Sequence, residues 1–426
     1  MSSSTNMYAS APLCVEEPRA REILESGLAH IPTANARVVV LIPDGTRTAP
    51  IPMMFRLLCE ILAPRVQRLD WLIALGTHSP MSPAAIERLV GMSHAAWRQR
   101  WPNVDVHNHL WSDPATFAMV GTLSHADIER LSGGRLSVDV PVKVNRMVVE
   151  CDHVIVCGPV FPHEVAGFSG GSKYFFPGIS GPEVIHVTHW LGALLTSRAI
   201  IGVADTPVRQ AIEMAAACIP TPRTYICMVV QGEQLAGLFV GDVNSAWTAA
   251  ARLSSQLHIR WVPHPYHTAL AVMPEMYDDL WTGAKGMYKL EPVISDGGEV
   301  IIYAPHITEV SYTHGRILDE IGYHVRDYFL AQWEKFRHYP WGVLAHSTHL
   351  RGAGTYEHGV ERPRIRVTLA TGIPRERCDK IGLGWRDPAS IRVEEFANRE
   401  DEGILLVPHA GEILYRLESE RPAHGS

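Results

Sequence analysis

A short apolar run, Val154-Ile155-Val156-Cys157, empties into a stretch with five glycines in fifteen residues: Gly167, Gly170, Gly171, Gly178 and Gly181. A brief β-branched run of this kind reads as a buried strand. A strand that opens into a glycine-rich loop is how α/β proteins present backbone N–H groups, with one cation, to an anionic ligand. The cation here is Lys173. Three histidines flank it, His163, His186 and His189, and they bring acid–base or metal chemistry to what would otherwise be an anion cradle.

The rest of the chain repeats the strand–helix alternation. Arg37 to Ile42 and Leu69 to Leu75 read as buried strands, with helices at Ala20 to Ala29, Met53 to Leu62 and Pro83 to Gln99. Further strands are expected at 104–106, 142–149, 199–203 and 224–230, with helices at 208–218 and 243–256. His264-Pro265 looks like a linker. Beyond it the period continues, with strands at 268–273, 299–304, 342–345, 365–369 and 404–407 and helices at 277–290 and 313–337. The expected fold is α/β: two α/β domains, residues 1–263 and 264–426, with mostly parallel sheets flanked by helices. The first is expected to bind a cofactor and the second to close over substrate, with the active site in the cleft between them. In open α/β sheets ligands sit outside the carboxyl ends of the strands. The loops after three strands carry Asp44 and Arg47, His78, and His163.

Several classes are disfavoured. A net charge of −7 argues against nucleic acid or an anionic membrane as partner. No run of 18 apolar residues is present, so no membrane-spanning helix is expected. The first residues lack the basic start and apolar core of a secretory signal. Seven scattered cysteines without a Cys-x-x-Cys pair fit reduced thiols in the cytoplasm. The oligomeric state is left open.

Each candidate has a bland alternative. Asp44-x-Thr46-Arg47 is either a solvated turn or a site where a planar guanidinium clamps a carboxylate or phosphate. Gly76-Thr77-His78 is either a capping turn or a general acid–base at a strand end. Gly167 to Lys173 superficially suggests a phosphate-binding P-loop, but Ser172 separates glycine from lysine and Tyr174 follows. His186-x-x-His189 lies one helical turn apart, and a two-histidine metal site needs a third ligand. Ala284-Lys285-Gly286 offers a lysine for a substrate carboxylate.

In combination these motifs resemble the nickel-pincer lactate racemase family over most of the chain. The matching residues are Asp44-x-Thr46-Arg47, Gly76-Thr77-His78, and the long run from His163 through Gly167-Phe168-Ser169-Gly170-Gly171-x-Lys173 to Pro177-Gly178. His189, sixteen residues beyond the lysine, Ala284-Lys285-Gly286, Gly297-Gly298 and Gln332-Trp333 complete the match. The resemblance implies a nickel-pincer nucleotide, a pyridinium-3,5-thiocarboxylic-type mononucleotide carrying nickel. It implies that Lys173 joins or neighbours the cofactor and that His189 ligates the metal. Asp44, Thr46, Arg47, Ser169, Gly170 and Gly171 fall at cofactor-binding positions. His78 and His163 match two acid–base histidines, and Arg47 and Lys285 match cations near cofactor and substrate.

The implied activity is inversion at C2 of a small-molecule 2-hydroxy acid by hydride transfer. One departure bears on substrate. Where lactate racemases carry Tyr-Gln, this chain has Trp281-Thr282, so lactate is not the expected best substrate; Trp333 is placed in the same pocket. The competing expectation is a protein that binds the nickel-pincer nucleotide without this turnover.

Overall fold

The computed structural model describes residues 14–31 and 35–421. The chain divides into two compact units. One comprises residues up to Phe161, Phe168–Ile185 and Arg209–Leu257; the other comprises Pro162–Gly167, His186–Val208 and the chain from His258 onward. Two segments upstream of residue 263, 162–167 and 186–208, therefore group with the later part of the chain.

The first unit is built on a six-stranded sheet. Its strands are β1 (Arg37–Ile42), β2 (Arg68–Ile73), β3 (Val104–Asn108), β4 (His153–Pro159), β5 (Arg223–Gln231) and β6 (Gln234–Gly241), in the order β6-β5-β4-β1-β2-β3. All neighbours are parallel except β5 and β6. β1 and β4 are buried almost end to end, the continuous apolar signature of a strand covered on both faces. Helices α1 (Glu17–Gly27), α2 (Ile51–Leu62), α3 (Pro83–Val90) and α4 (His94–Arg100) belong to this unit. Phe55 of α2 packs on Trp71 and Trp97 in its core. From β1 the chain proceeds to β2 and β3 on one side, then to β4 and β5 on the other. The order reverses between β1 and β4, the position at which such sheets form their ligand crevice. The loop with Asp44 leaves β1 there, and the glycine-rich stretch follows β4.

The second unit holds a five-stranded, wholly parallel sheet. Its strands are β7 (Tyr266–Val272), β8 (Ile294–Ala304), β9 (Arg366–Thr371), β10 (Gly384–Trp385) and β11 (Ile404–Val407), in the order β10-β9-β8-β7-β11. Helices α5 (Pro182–Leu195) and α7 (Trp341–Arg351), and α6 (Pro207–Ala217), which lies in the first unit from Arg209 onward, carry residues used below.

Four local expectations give way. The helix expected over 83–99 is two helices, because Gly91 adopts φ +69° and a Cβ there would lie 2.6 Å from Pro52. The strand expected at 199–203 is a helical turn, closed by Ile201 N–H to Ser197 O at 2.9 Å and ended by Gly202 at φ +77°. The strand expected at 342–345 lies inside α7, whose residues Gly342 to Leu350 are all buried; a helix apolar on every side shows no period by which to distinguish it from a strand. The helix expected over 277–290 is two single turns, Leu280–Gly283 and Lys285–Tyr288. β6 was not anticipated; it pairs with β5 through a two-residue turn at Gly232-Glu233, with Gly232 at φ +58°.

Candidate active site

In the first unit, parallel pairing of β1 and β2 brings their following loops side by side. Asp44 Oδ2 and His78 Nδ1 are 2.5 Å apart. Asp44 is buried, at 7% exposure. Its other oxygen accepts from the Thr46 backbone N–H at 3.1 Å and the Thr46 hydroxyl at 2.7 Å. Burial opposes ionisation of this carboxyl, but the His78 charge and hydrogen bond, together with Arg47, hold it well below the usual carboxylate range. An ionised Asp44 accepts the Nδ1 proton of His78. That leaves Nε2 as the nitrogen of His78 that exchanges a proton with a ligand. The Trp111 indole N–H donates to the His78 carbonyl at 2.9 Å and fixes the backbone from behind. Gly76 N–H donates to Gly178 O at 2.8 Å, tying the histidine's turn to the end of the glycine-rich stretch. Tyr174, buried, stands in the field of Arg47 and Asp44. Asp44, Thr46, Arg47 and His78 are thus brought together.

Gly170 and Gly171 have φ of +76° and +60°, and a Cβ on either would lie 2.6–2.7 Å from Val160 or Trp247. Only glycine fits both the conformation and the space. Ser169 has a structural job: its hydroxyl accepts from Phe161 N–H at 2.9 Å and donates to Pro159 O at 3.3 Å.

In the second unit, His163 is buried at 7% exposure. Its Nδ1 accepts the Val165 backbone N–H at 3.1 Å, and the Glu164 carboxylate lies 3.5 Å from the same nitrogen. A neutral His163 with an accepting Nδ1 carries its proton on Nε2, the reverse of His78. α5 carries His186 and His189. His186 Nδ1 accepts the Gly342 N–H at 3.4 Å. Trp190, next to His189, stacks on Trp333 at 5.3 Å and 14°. Lys285 Nζ sits 4.4 Å over the Tyr277 ring, a cation–π contact.

Trp281 lies between two histidines that short-range sequence signals did not single out. Its ring stacks on His346 at 3.9 Å and 23°, and His314 packs against it at 4.8 Å. His346 is itself held between Tyr288 and Tyr323, whose hydroxyls lie 3.2 and 3.3 Å from its two ring nitrogens. Burial and the neighbouring histidines, His189 among them, keep it neutral. The Thr282 hydroxyl is engaged with Asp279, at 3.2 Å from its carbonyl and 3.0 Å from its carboxylate. His346-x-x-His349 has the same spacing as His186-x-x-His189, but it shows only once 341–351 is known to be a helix.

Among the described residues, no three His, Cys, Asp or Glu side chains are grouped to hold a metal ion, and no helix is long and apolar enough to cross a membrane.

The family model described as the lactate racemase N-terminal domain matches residues 14–202. Lactate racemase of Thermoanaerobacterium thermosaccharolyticum is 24% identical over 283 residues, 65% of this chain and 62% of that protein. Lactate racemase of Lactiplantibacillus plantarum is 24% identical over 301 residues, 68% of this chain and 65% of that protein. The chain thus spans less than two thirds of either curated relative. A solved protein of Thermotoga maritima is 33% identical, with a TM-score of 0.87 over 95% of this chain and 98% of that one. The lactate racemase apoprotein of T. thermosaccharolyticum shares the fold, with a TM-score of 0.69 at 17% identity, covering 93% of each chain. Residues 14–202 thus carry the lactate racemase N-terminal domain, and the chain is similar to lactate racemases beyond it.

Proposed function

We propose that this protein is a racemase or epimerase that inverts C2 of a 2-hydroxy acid, working with a nickel-pincer nucleotide. The observation that carries the reading is the Asp44–His78 pair at the edge of the parallel sheet, a buried carboxylate facing Nδ1 of a histidine. Proton exchange with a substrate then falls to Nε2 of His78. In His163 the Nδ1 accepts from Val165, so the same exchange falls to its Nε2. An enzyme that acts on both enantiomers needs one group to take the hydroxyl proton and another to return it, and these two histidines are the pair assigned to it.

The residues present fit the group. His189 belongs to no three-ligand cluster among the described residues, which suits a metal that brings its other donors, as a pincer nucleotide's does. The loop at Gly170 and Gly171 leaves no room for side chains, as close backbone approach to an anionic ligand requires. Lys173, Arg47 and the loop would hold the nucleotide, and His189 would contribute one bond to nickel. When bound, the cofactor supplies a reversible acceptor for the C2 hydride.

The chain's own residues supply the rest. His78 Nε2 takes the hydroxyl proton of one enantiomer while Asp44 stabilises the imidazolium that forms. His163 is assigned the hydroxyl proton of the other enantiomer, exchanged through its Nε2. Lys285 holds the substrate carboxylate as the fixed point about which C2 is presented. Lactate is not the favoured substrate in this reading. In place of a phenol and an amide, the chain carries an indole clamped by His346 and a threonine hydroxyl already bonded to Asp279.

The test is inversion of a panel of 2-hydroxy acids by cofactor-loaded protein with nickel confirmed, read by chiral chromatography. Lactate, malate, phenyllactate and an aldonic acid form the panel. Inversion of one member with C2 deuterium retained is expected. Loaded protein that inverts none, and in which exchange of C2 hydrogen is also absent, would overturn the reading in favour of cofactor binding without this turnover.

A further inference from the structure

The glycine-rich loop is bonded from beneath, one carbonyl after another, to side chains outside every motif considered so far. Arg209, on α6, donates through one terminal nitrogen to Phe168 O and through the other to Gly170 O at 3.3 Å. Trp247 Nε1 donates to Ser169 O, the carbonyl between them, at 2.9 Å. The two side chains also hold each other, with the guanidinium 4.2 Å over the indole. The support continues past the carbonyls. The Ser172 hydroxyl donates to the Glu213 carboxylate at 2.6 Å and lies 2.9 Å from the Tyr225 hydroxyl.

Arg209 is 4% exposed, and its carboxylate neighbour Glu213 is 3.5 Å away. A buried guanidinium whose shorter bonds run to loop carbonyls is poorly explained as an ion pair made for stability, since burying the charge is itself unfavourable. Its effect on the loop is specific. In a planar trans peptide the C=O and the following N–H point in opposite directions. With Ser169 C=O turned down to Trp247, the Gly170 N–H is directed away from Trp247. Gly170 O also accepts the Lys173 N–H at 3.3 Å, so the peptide held by Arg209 is the one that starts the turn carrying Lys173.

We infer that Arg209 and Trp247 are positioning residues for the ligand face of this loop: by holding three successive carbonyls inward, they aim the Gly170 N–H and set the turn that presents Lys173. The ligand's identity rests on the proposed function; the positioning itself does not. The requirement is geometric as well as electrostatic. A guanidinium reaches two carbonyls two residues apart with two nitrogens, whereas an ammonium is a single point. Lysine at 209 keeps the charge and loses the fork. Phenylalanine at 247 keeps the ring face and loses the one N–H that binds Ser169 O.

The experiment compares Arg209→Lys and Trp247→Phe with the parent chain. In protein made without cofactor, backbone amide exchange is measured across 168–174 alongside Tm. In protein made with cofactor, nickel per chain is measured after desalting. The expected result is exchange faster by about tenfold, confined to the loop, with Tm little changed, the size set by loss of one buried hydrogen bond. Nickel retention should fall by a similar factor in both variants. Parent-like loop exchange and nickel retention in both variants would overturn the inference. So would a lowered Tm with exchange raised uniformly across the first unit, since that is what a general stabilising role gives. If the parent chain itself takes up no nickel nucleotide, the proposed function fails, and the exchange measurement still decides the role of Arg209 and Trp247.

Discussion

Asp44 and His78 meet at 2.5 Å across 34 residues of sequence, because β1 and β2 are parallel neighbours and release their loops at the same edge. The carboxylate fixes which nitrogen of His78 carries the proton. Asp44→Asn keeps the shape and removes the charge. A carboxamide can present its N–H to Nδ1, which moves the imidazole proton to Nε2 and leaves no base there. Turnover should fall about 10²–10⁴-fold, the range for loss of a positioned acid–base, with substrate KM little altered. Steady-state kinetics of the loaded variant check this, and unchanged kcat would remove Asp44 from the mechanism.

The same carboxyl gives a pH expectation with a definite sign. Its pKa in the folded protein lies below the ordinary value of 3.8. A depressed acid contributes stability that is present above its unfolded pKa and is lost as pH falls through the folded one. Asp44 therefore stays ionised through the whole range where activity is assayed. An acid limb of the pH–rate profile above pH 5 is therefore not the titration of Asp44, and a limb that tracks Asp44 there would contradict the depressed carboxyl.

Buried histidines set a different limit. Burial lowers His109 and His349 to about 4 from an ordinary 6.5. For a base whose folded pKa is depressed, the unfolded chain binds the proton first. Stability is then complete above about pH 6.5 and declines as pH falls toward 4, by up to ~1.4 kcal/mol per pH unit for each such group. Denaturant midpoints measured from pH 7.5 to 4.5 should drop below pH 6.5, and His349→Gln should flatten that slope. A midpoint constant over the range would contradict it.

His346 is held by two tyrosine hydroxyls and carries Trp281 on its face. His346→Phe preserves a flat ring for Trp281 and leaves both buried hydroxyls without that partner. The expected loss is about 1–3 kcal/mol for each hydroxyl stranded, seen as a lower denaturant midpoint. Substrate preference should shift too, because the indole loses its fixed support. A variant as stable as the parent would show that the tyrosines find other partners.

What the sequence disclosed, and what it withheld, divides along physical lines. Strands such as Arg37–Ile42 and Ile404–Val407 were legible because they are short, β-branched and continuously apolar, and both appear with the expected bounds. The loops carrying Asp44 and His78 were legible because each follows such a strand. Trp341–Arg351 was not, since burial on all sides erases its helical period, and with it went His346 and His349. Arg209 and Trp247 were invisible for another reason. Their partners are the carbonyls of residues 168–170, and a backbone acceptor leaves no mark on sequence. The grouping of 162–167 and 186–208 with the later chain likewise depends on tertiary contact alone.

Lys285 provides the last expectation. Its ammonium stands 4.4 Å over the Tyr277 ring, a contact that restrains a long, flexible side chain. If it binds the substrate carboxylate, Lys285→Met removes one charge-assisted interaction, which corresponds to about 10- to 100-fold weaker binding. The split between constants distinguishes roles. A carboxylate anchor used equally in ground and transition states raises KM and spares kcat, whereas a group that also orients C2 for transfer lowers both kcat and kcat/KM. Since orientation about a fixed carboxylate is what the proposed inversion demands, the second pattern is expected. A substrate amide, which lacks the anionic group, should be nearly indifferent to the substitution. If Lys285→Met impairs the acid and the amide alike, the lysine is not the carboxylate's partner.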